Sequence, residues 1–205
     1  MKVAIIIGYA KKESFNWGIV DTIIEECNAN EETSYVLIDL YEDTFHPSGK
    51  PDCSHLVEKY QNILKSSDLH CYVSPVHWFR CTSMLEGFMD QVFTPGVAYR
   101  FKQITRTYGV PVPLWKDKRV ITYLSHGAPA FPVYTLYLNS VWGRLRIGVL
   151  SFVYGWGISL KNFNNIKFRQ FFSVPFTTDK VRAKYFAKVR NDIRKEIKRY
   201  QKKHK

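Results

Sequence analysis

Apolar runs of strand length alternate with amphipathic runs of helical period along most of the 205-residue chain. Val3–Gly8 (VAIIIG) is continuous and β-branched, as a strand covered on both faces should be. Ser34–Leu40, Asp68–Pro75, Arg119–Ser125 and Val149–Gly155 predict four further strands. Between them the period changes. From Phe15 to Asn28 the apolar positions Trp17, Ile19, Val20, Ile23, Ile24 and Cys27 recur at helical spacing. Ser54–Ser67 repeats that pattern and Ser83–Phe93 predicts a third helix. A fourth helix falls within Tyr134–Arg144, and a long final one begins at Thr178.

This β-α-β-α order predicts an α/β sandwich of three layers, with one parallel sheet covered by helices on both faces. Five strands fit the doubly wound order 2-1-3-4-5, in which ligands bind beyond the carboxyl ends of the strands near the order reversal. The loops after the first, third and fourth strands therefore become the candidate site. They read YAKKESFNWG (Tyr9–Gly18), SPVHWF (Ser74–Phe79) and SHGAP (Ser125–Pro129). A long connection rich in proline, glycine and aromatics precedes the fourth strand, from Thr94 to Lys118. Connections of that length are usually functional or interfacial.

In the first loop Ser14 stands at the N-cap position, before the unpaired amides of Phe15, Asn16 and Trp17. Helix N-termini attract anions because those amides lack partners and the dipole is positive there. The loop has neither a GxGxxG nor a GxxxxGK[ST] pattern, so neither a dinucleotide fingerprint nor a phosphate-binding P-loop is predicted. A plain helix cap with solvated Lys11 and Lys12 is the competing reading. In the second loop, exposing Trp78 and Phe79 at a strand end is costly unless something flat covers them; the competing role is a plug in the core or an interface. In the third loop Gly127 leaves backbone amides accessible. Ser125 and His126 are adjacent, but no GxSxG elbow exists, which argues against a hydrolase. His70 and Cys71 point to opposite faces of a strand, and no zinc-ligand spacing is present, so no metal is expected.

Composition sharpens two points. At 45% hydrophobic and 16% aromatic residues the chain can fill a core, as one domain spanning residues 1–205. The net charge of +12 is concentrated: twelve Lys/Arg and three Asp/Glu between Asp179 and Lys205 supply +9 of it. The rest of the chain does not have the charge of a nucleic-acid-binding domain, and no specific nucleic acid is expected. Four cysteines without a CxxC pair, and no apolar leader or membrane-length segment, predict reduced thiols in a cytoplasmic protein.

SFNWG (Ser14–Gly18), DLYEDTFHP (Asp39–Pro47), the stretch Ser74–Phe101 and SHGAP resemble, in order and spacing, the NAD(P)H:quinone oxidoreductase family of DT-diaphorase and modulator-of-drug-activity-B type. The resemblance covers the chain to about Gly155 and implies a flavodoxin-like fold. It implies a flavin whose phosphate rests on Ser14, Phe15 and Asn16, with Pro75, Val76, His77, Trp78 and Phe79 walling the isoalloxazine and ribityl chain. Ser125, His126, Gly127 and Ala128 would hydrogen-bond the ring edge, and His126 and Tyr134 are the candidate catalytic residues. The long C-terminal extension of the larger members has no counterpart, so FMN is expected and FAD is the alternative. The family implies two-electron hydride transfer from NAD(P)H to a quinone-like acceptor by a ping-pong mechanism, in a homodimer. A flavin-binding ancillary subunit, as of a potassium-efflux system, is the alternative function. Tyr9 stands where the family commonly has histidine.

The segment from about residue 178 to 205 is a basic amphipathic helix, with Val181, Tyr185, Val189, Ile193 and Ile197 at four-residue steps. It reads as the last helix covering the sheet with a solvated basic face, or as a weak contact for a membrane or other anionic surface.

Overall fold

The computed structural model describes residues 1–50, 52–155 and 164–204. Five parallel strands form the main sheet: β1 (Lys2–Ile7), β2 (Ser34–Asp39), β3 (Leu69–Pro75), β6 (Arg119–Ser125) and β7 (Ile166–Phe171). Their order is β2-β1-β3-β6-β7, which is the doubly wound 2-1-3-4-5 order when these five strands are counted alone.

Strand alternation divides the apolar residues between two cores. Val3, Ile5 and Ile7 of β1, with Cys71 and Val73 of β3, face α1 (Phe15–Asn28) and the final helix α7 (Asp179–His204). Ala4, Ile6 and Tyr72 face the opposite layer, where α2 (Ser54–Ser66) and α3 (Ser83–Val92) pack. All four cysteines are buried, and none forms a disulfide among the described residues.

Register brings the strand ends level. Ile7 pairs with Val73, Pro75 with Ser125, and Ser125 with Phe171. The loops leaving β1, β3 and β6 therefore start at one edge of the sheet. Gly8 lets the first loop pass the N-terminus of α3. A Cβ there would lie 2.8 Å from the Thr82 hydroxyl, which itself donates to the Gly8 carbonyl at 2.7 Å.

The expected fifth strand, Val149–Gly155, is a correction. Residues Gly143–Leu150 form a π-helix and Ser151–Tyr154 the short helix α6. The buried Leu150, Val153 and Tyr154 follow an i, i+3, i+4 spacing, and so short an apolar run does not separate strand from helix by itself. The fifth strand is Ile166–Phe171, whose sequence IKFRQF is broken by charge. Its charges find a partner outside the sheet: Asp192 of α7 accepts from Lys167 at 3.0 Å and from two nitrogens of Arg169 at 2.7 Å. Burial pushes Asp192 up, but the hydrogen bonds from Arg169 and Lys167 outweigh it and leave its pKa below the ordinary carboxylate value.

The helix expected within Tyr134–Arg144 is likewise redistributed, into α4 (Ala130–Tyr134), α5 (Ser140–Trp142) and the start of the π-helix. Within the long connection, β4 (Tyr99–Gln103) and β5 (Gly109–Pro113) form an antiparallel hairpin. No helix of the described residues is long and apolar enough to cross a membrane.

Candidate functional site

The first loop ends in a capped helix. Ser14 is extended (φ −97°, ψ 162°) and its Oγ accepts from the Trp17 amide at 3.4 Å. The first intrahelical bond runs from the Gly18 amide to the Ser14 carbonyl, so the amides of Phe15 and Asn16 are left as outward donors. The Phe15 ring turns inward against Phe171, Tyr185 and Phe186, which leaves only its backbone for the site. Asn16 is buried, and its Oδ1 accepts from the Ser125 hydroxyl at 3.0 Å. That bond ties the first loop to the third across the β3 position, and no protein partner for Asn16 Nδ2 is present among the described residues.

Lys12 is not a solvated bystander. It pairs with the buried Asp39 at the end of β2 and lies 3.9 Å from the centroid of the Trp17 ring. Its hydrogen bond to Asp39 raises its pKa. Asp39 in turn accepts from the amides of Tyr41 and Glu42 at 3.0 and 3.3 Å. Lys12 thus braces the loop while its side chain stays half-exposed, and Lys11 beside it is exposed too. Tyr9 gives its carbonyl to Trp17 Nε1 at 2.9 Å and sets its ring edge-on to His77, 6.2 Å between centroids. It links the first and second loops.

The second loop is a tight reversal. His77 and Arg80 exchange both backbone hydrogen bonds at 2.9 Å, with Trp78 (φ 50°) and Phe79 (φ 61°) between them in left-handed conformation. Two-residue hairpins of this kind are ordinarily built from asparagine and glycine, and each bulky residue held there costs roughly 1–2 kcal/mol. Trp78 is 91% exposed at the tip. Phe79 packs on Tyr137, 4.1 Å between centroids, and its carbonyl accepts from Arg144 at 3.0 Å. Pro75 is buried at the end of β3, and the Val76 amide donates to the Ser125 carbonyl at 2.8 Å.

In the third loop His126 is only 3% exposed. Its amide donates to the Phe171 carbonyl at 2.7 Å, its ring stacks on Phe172 at 4.7 Å, and its Nε2 lies 2.9 Å from Gln170 Oε1. Gln170 Nε2 donates onward to the Tyr134 hydroxyl at 3.4 Å. The two candidate catalytic side chains, His126 and Tyr134, are therefore joined through Gln170. Burial lowers the His126 pKa to about 4, so its ring is neutral at pH 7 and Nε2–H is the donor to Gln170. Gly127 is exposed with open space at its Cβ position, while Ala128 accepts from the Ser173 amide at 3.0 Å.

Beside these loops lies a cavity of about 930 Å³, between α3 and residues 141–153. Of the second loop it touches Phe79 alone, with Arg80 and Cys81 just beyond, so it adjoins the strand-end site without being that site.

A model of the flavodoxin-like fold family matches residues 1–168. The chain belongs to that flavodoxin-like family. No curated protein matches it in sequence. Among solved structures, Smu.1420 from Streptococcus mutans UA159 superposes with a TM-score of 0.76 at 20% identity, over 95% of this chain and 100% of that one. An NAD(P)H:quinone oxidoreductase from Methanothermobacter marburgensis gives 0.71 at 18% identity, over 95% and 96%. An FMN-dependent NADH-azoreductase from Bacillus anthracis str. Ames Ancestor, in complex with FMN, gives 0.71 at 13% identity, over 95% and 98%. At these identities the likeness is one of fold.

In this flavodoxin-like protein the three loops are legible from sequence, whereas Gln170, Phe172 and Arg144 are not. Gln170 and Phe172 lie on or just after β7, which the sequence pattern does not mark as a strand, and Arg144 acts through a backbone carbonyl far away in sequence. No local pattern marks such contacts.

His126 at about 4 and the fully buried His70, lowered by burial to about 3, both lie below the ordinary value of 6.5. Between those values the unfolded chain binds protons that the folded chain refuses. Their stabilising contribution is therefore complete above pH 6.5 and falls as the pH drops toward 4. Each histidine is expected to remove about 3 kcal/mol by pH 4, and denaturant titrations across that range measure it. A His126 ring that titrates near 6.5 by NMR would refute its part.

Proposed function

We propose that the protein is a flavin-dependent NAD(P)H oxidoreductase whose acceptor is a quinone or a related flat aromatic, with FMN as the flavin and FAD as the alternative. The observation that carries this reading is the Asn16–Ser125 hydrogen bond beside the open N-terminus of α1. It turns Asn16 Oδ1 toward the third loop and so leaves Nδ2 beside the outward donors of the first loop, at the sheet edge where doubly wound folds bind ligands. The residues suit a flavin phosphate: two unpaired amides, a serine hydroxyl whose proton is still free, and an asparagine Nδ2. The names of the neighbours, a quinone oxidoreductase and an FMN-dependent azoreductase, support the same class.

When bound, the flavin would supply two-electron chemistry, receiving a hydride from NAD(P)H and giving it to an acceptor that takes the donor's place. In this reading Ser14, the Phe15 amide and Asn16 hold the phosphate. Pro75, Val76, His77, Trp78 and Phe79 form the wall beside the ring and ribityl chain, with Trp78 covered once a flat ligand lies against it. Of the third-loop residues expected at the ring edge, Gly127 and Ala128 offer their amides, while the Ser125 hydroxyl and the His126 amide and Nε2 already donate to Asn16, Phe171 and Gln170. Neutral His126 gives its Nε2 proton to Gln170, and Gln170 donates to the Tyr134 oxygen. The Tyr134 proton is then free to be given to an acceptor at the mouth.

The reading includes a cytoplasmic homodimer, with the exposed Phe131, Leu136 and Leu138 and the cavity beside α3 as the surface for the partner subunit. Sedimentation gives the oligomeric state. For the activity, purified protein is expected to take up FMN, to lose the flavin absorbance anaerobically on addition of NAD(P)H, and to regain it with a quinone. Failure to take up either flavin would refute the proposal. Flavin uptake without reduction would assign a non-catalytic, ancillary role.

A further inference from the structure

The outer face of α7 separates its cations by type. Its arginines are paired: Arg182 with Asp179, Arg190 with Glu25 and Glu26, Arg194 with Glu26, and Arg199 with Glu196. Lys180, Lys184, Lys188, Lys195, Lys198 and Lys202 are all exposed, and none is ion-paired with a carboxylate among the described residues. These six fall within about 80° of the helix circumference and along about 33 Å of its length. Within that strip lies Asn191, with Ala187 at one margin and Val181 and the ion-paired Arg199 at the other, while the acidic Asp192 and Glu196 are buried on the sheet side.

A second feature lies at the N-terminal end of this strip. Phe176 is 84% exposed in the single 3-10 turn before α7. Its turn is fastened to the candidate site, because the Val174 amide donates to the His126 carbonyl at 2.9 Å and the Ser173 amide to that of Ala128 at 3.0 Å.

We infer that α7 is a docking surface for an anionic lipid bilayer, with the six lysines lying over the headgroups and Phe176 entering the interface. Unpaired lysines on a straight strip suit a diffuse, planar negative field. Selective phosphate or base recognition favours arginine forks and polar or stacking side chains, and this strip offers one asparagine. An exposed aromatic at the end of a lysine row is the composition of interfacial helices, and it has no use on a phosphate backbone. Because the turn bearing Phe176 also holds the third loop, docking brings the mouth of the site toward the bilayer. The inference does not depend on the flavin reading.

The test is sedimentation of the full chain with vesicles. At low salt it is expected to bind vesicles containing about one-third phosphatidylglycerol, to ignore pure phosphatidylcholine, and to be released as salt is raised, each lysine at the surface contributing roughly fivefold. Reversing Lys184, Lys188, Lys195 and Lys198 to glutamate is expected to weaken binding by at least about a hundredfold. Phe176→Ser is expected to weaken it about fivefold with the charge unchanged. All five positions are exposed, so the melting temperature serves as the control for folding. Equal binding to neutral vesicles, or undiminished binding by either variant, would overturn the inference. Tighter binding to a duplex oligonucleotide than to the anionic vesicles at the same salt would also overturn it, and would give the strip to nucleic acid.

Discussion

Replacing Ser14 and Asn16 together by alanine is expected to weaken FMN binding by about two to four orders of magnitude. Hydrogen bonds to a charged group contribute about 1.5–3 kcal/mol each, and this variant removes two such donors from the proposed phosphate site. The Asn16 side chain also carries the bond to Ser125, so the first and third loops lose their direct tie. The cost to folding is smaller. Loss of the Ser14 cap, which accepts from Trp17, is worth about 1 kcal/mol. Affinity and stability thus separate: fluorescence titration with FMN reads the first, thermal melting the second. An unchanged FMN affinity would place the phosphate elsewhere on the protein. A lost affinity with a collapsed melting temperature would show that the double variant perturbs the fold, and Ser14→Ala alone then carries the test.

Asp192→Ala is expected to lower stability by about 3 kcal/mol, equivalent to a fall in melting temperature of roughly 10 °C. Asp192 is fully buried and is the common acceptor for Lys167 and Arg169 on the edge strand β7. Removing one partner of a buried ion pair leaves the other uncompensated, at a cost of about 3–5 kcal/mol. Here the side chains of Lys167 and Arg169 remain 26% and 37% exposed, so water recovers part of that loss and the lower end of the range applies. Asp192→Asn keeps an acceptor of the same shape and is expected to lie between. A shift under about 2 °C for the alanine variant would mean that β7 is held by its ladder to β6 alone. Because β7 carries Gln170 and leads to Phe172, the same variant is also expected to loosen the contacts of His126.

How much of this was readable from sequence differs from element to element. The first three strands and helices declare themselves through apolar periodicity, because each is buried in its own right and each turn signal falls between them. Val149–Gly155 carries the same apolar signal and is helical. A run that short buries equally well in either form, and the choice is made by what it packs against, here Trp115, Phe93 and the His70–Tyr154 hydrogen bond at 2.7 Å. The true edge strand looks polar because Lys167 and Arg169 answer to Asp192, more than twenty residues further along the chain. Lys12 is a parallel case in the site. Its sequence surroundings suggest a solvated surface lysine, and its role depends on Asp39 arriving at the end of the neighbouring strand.

Sequence alone pointed to a doubly wound sheet with its first four strands, to the position of the three strand-end loops and to the capped helix at Ser14, since these follow from local periodicity and from the handedness of β-α-β connections. Tertiary structure decided which residues meet. It turned the Phe15 ring away and left its amide, joined Asn16 to Ser125, and placed Gln170 between His126 and Tyr134. It also left a strip of six lysines on the last helix without a carboxylate partner among the described residues, while pairing every arginine of that helix. These outcomes depend on distance between segments remote in sequence and on which charges burial forces together, and neither is encoded in the spacing of any single segment.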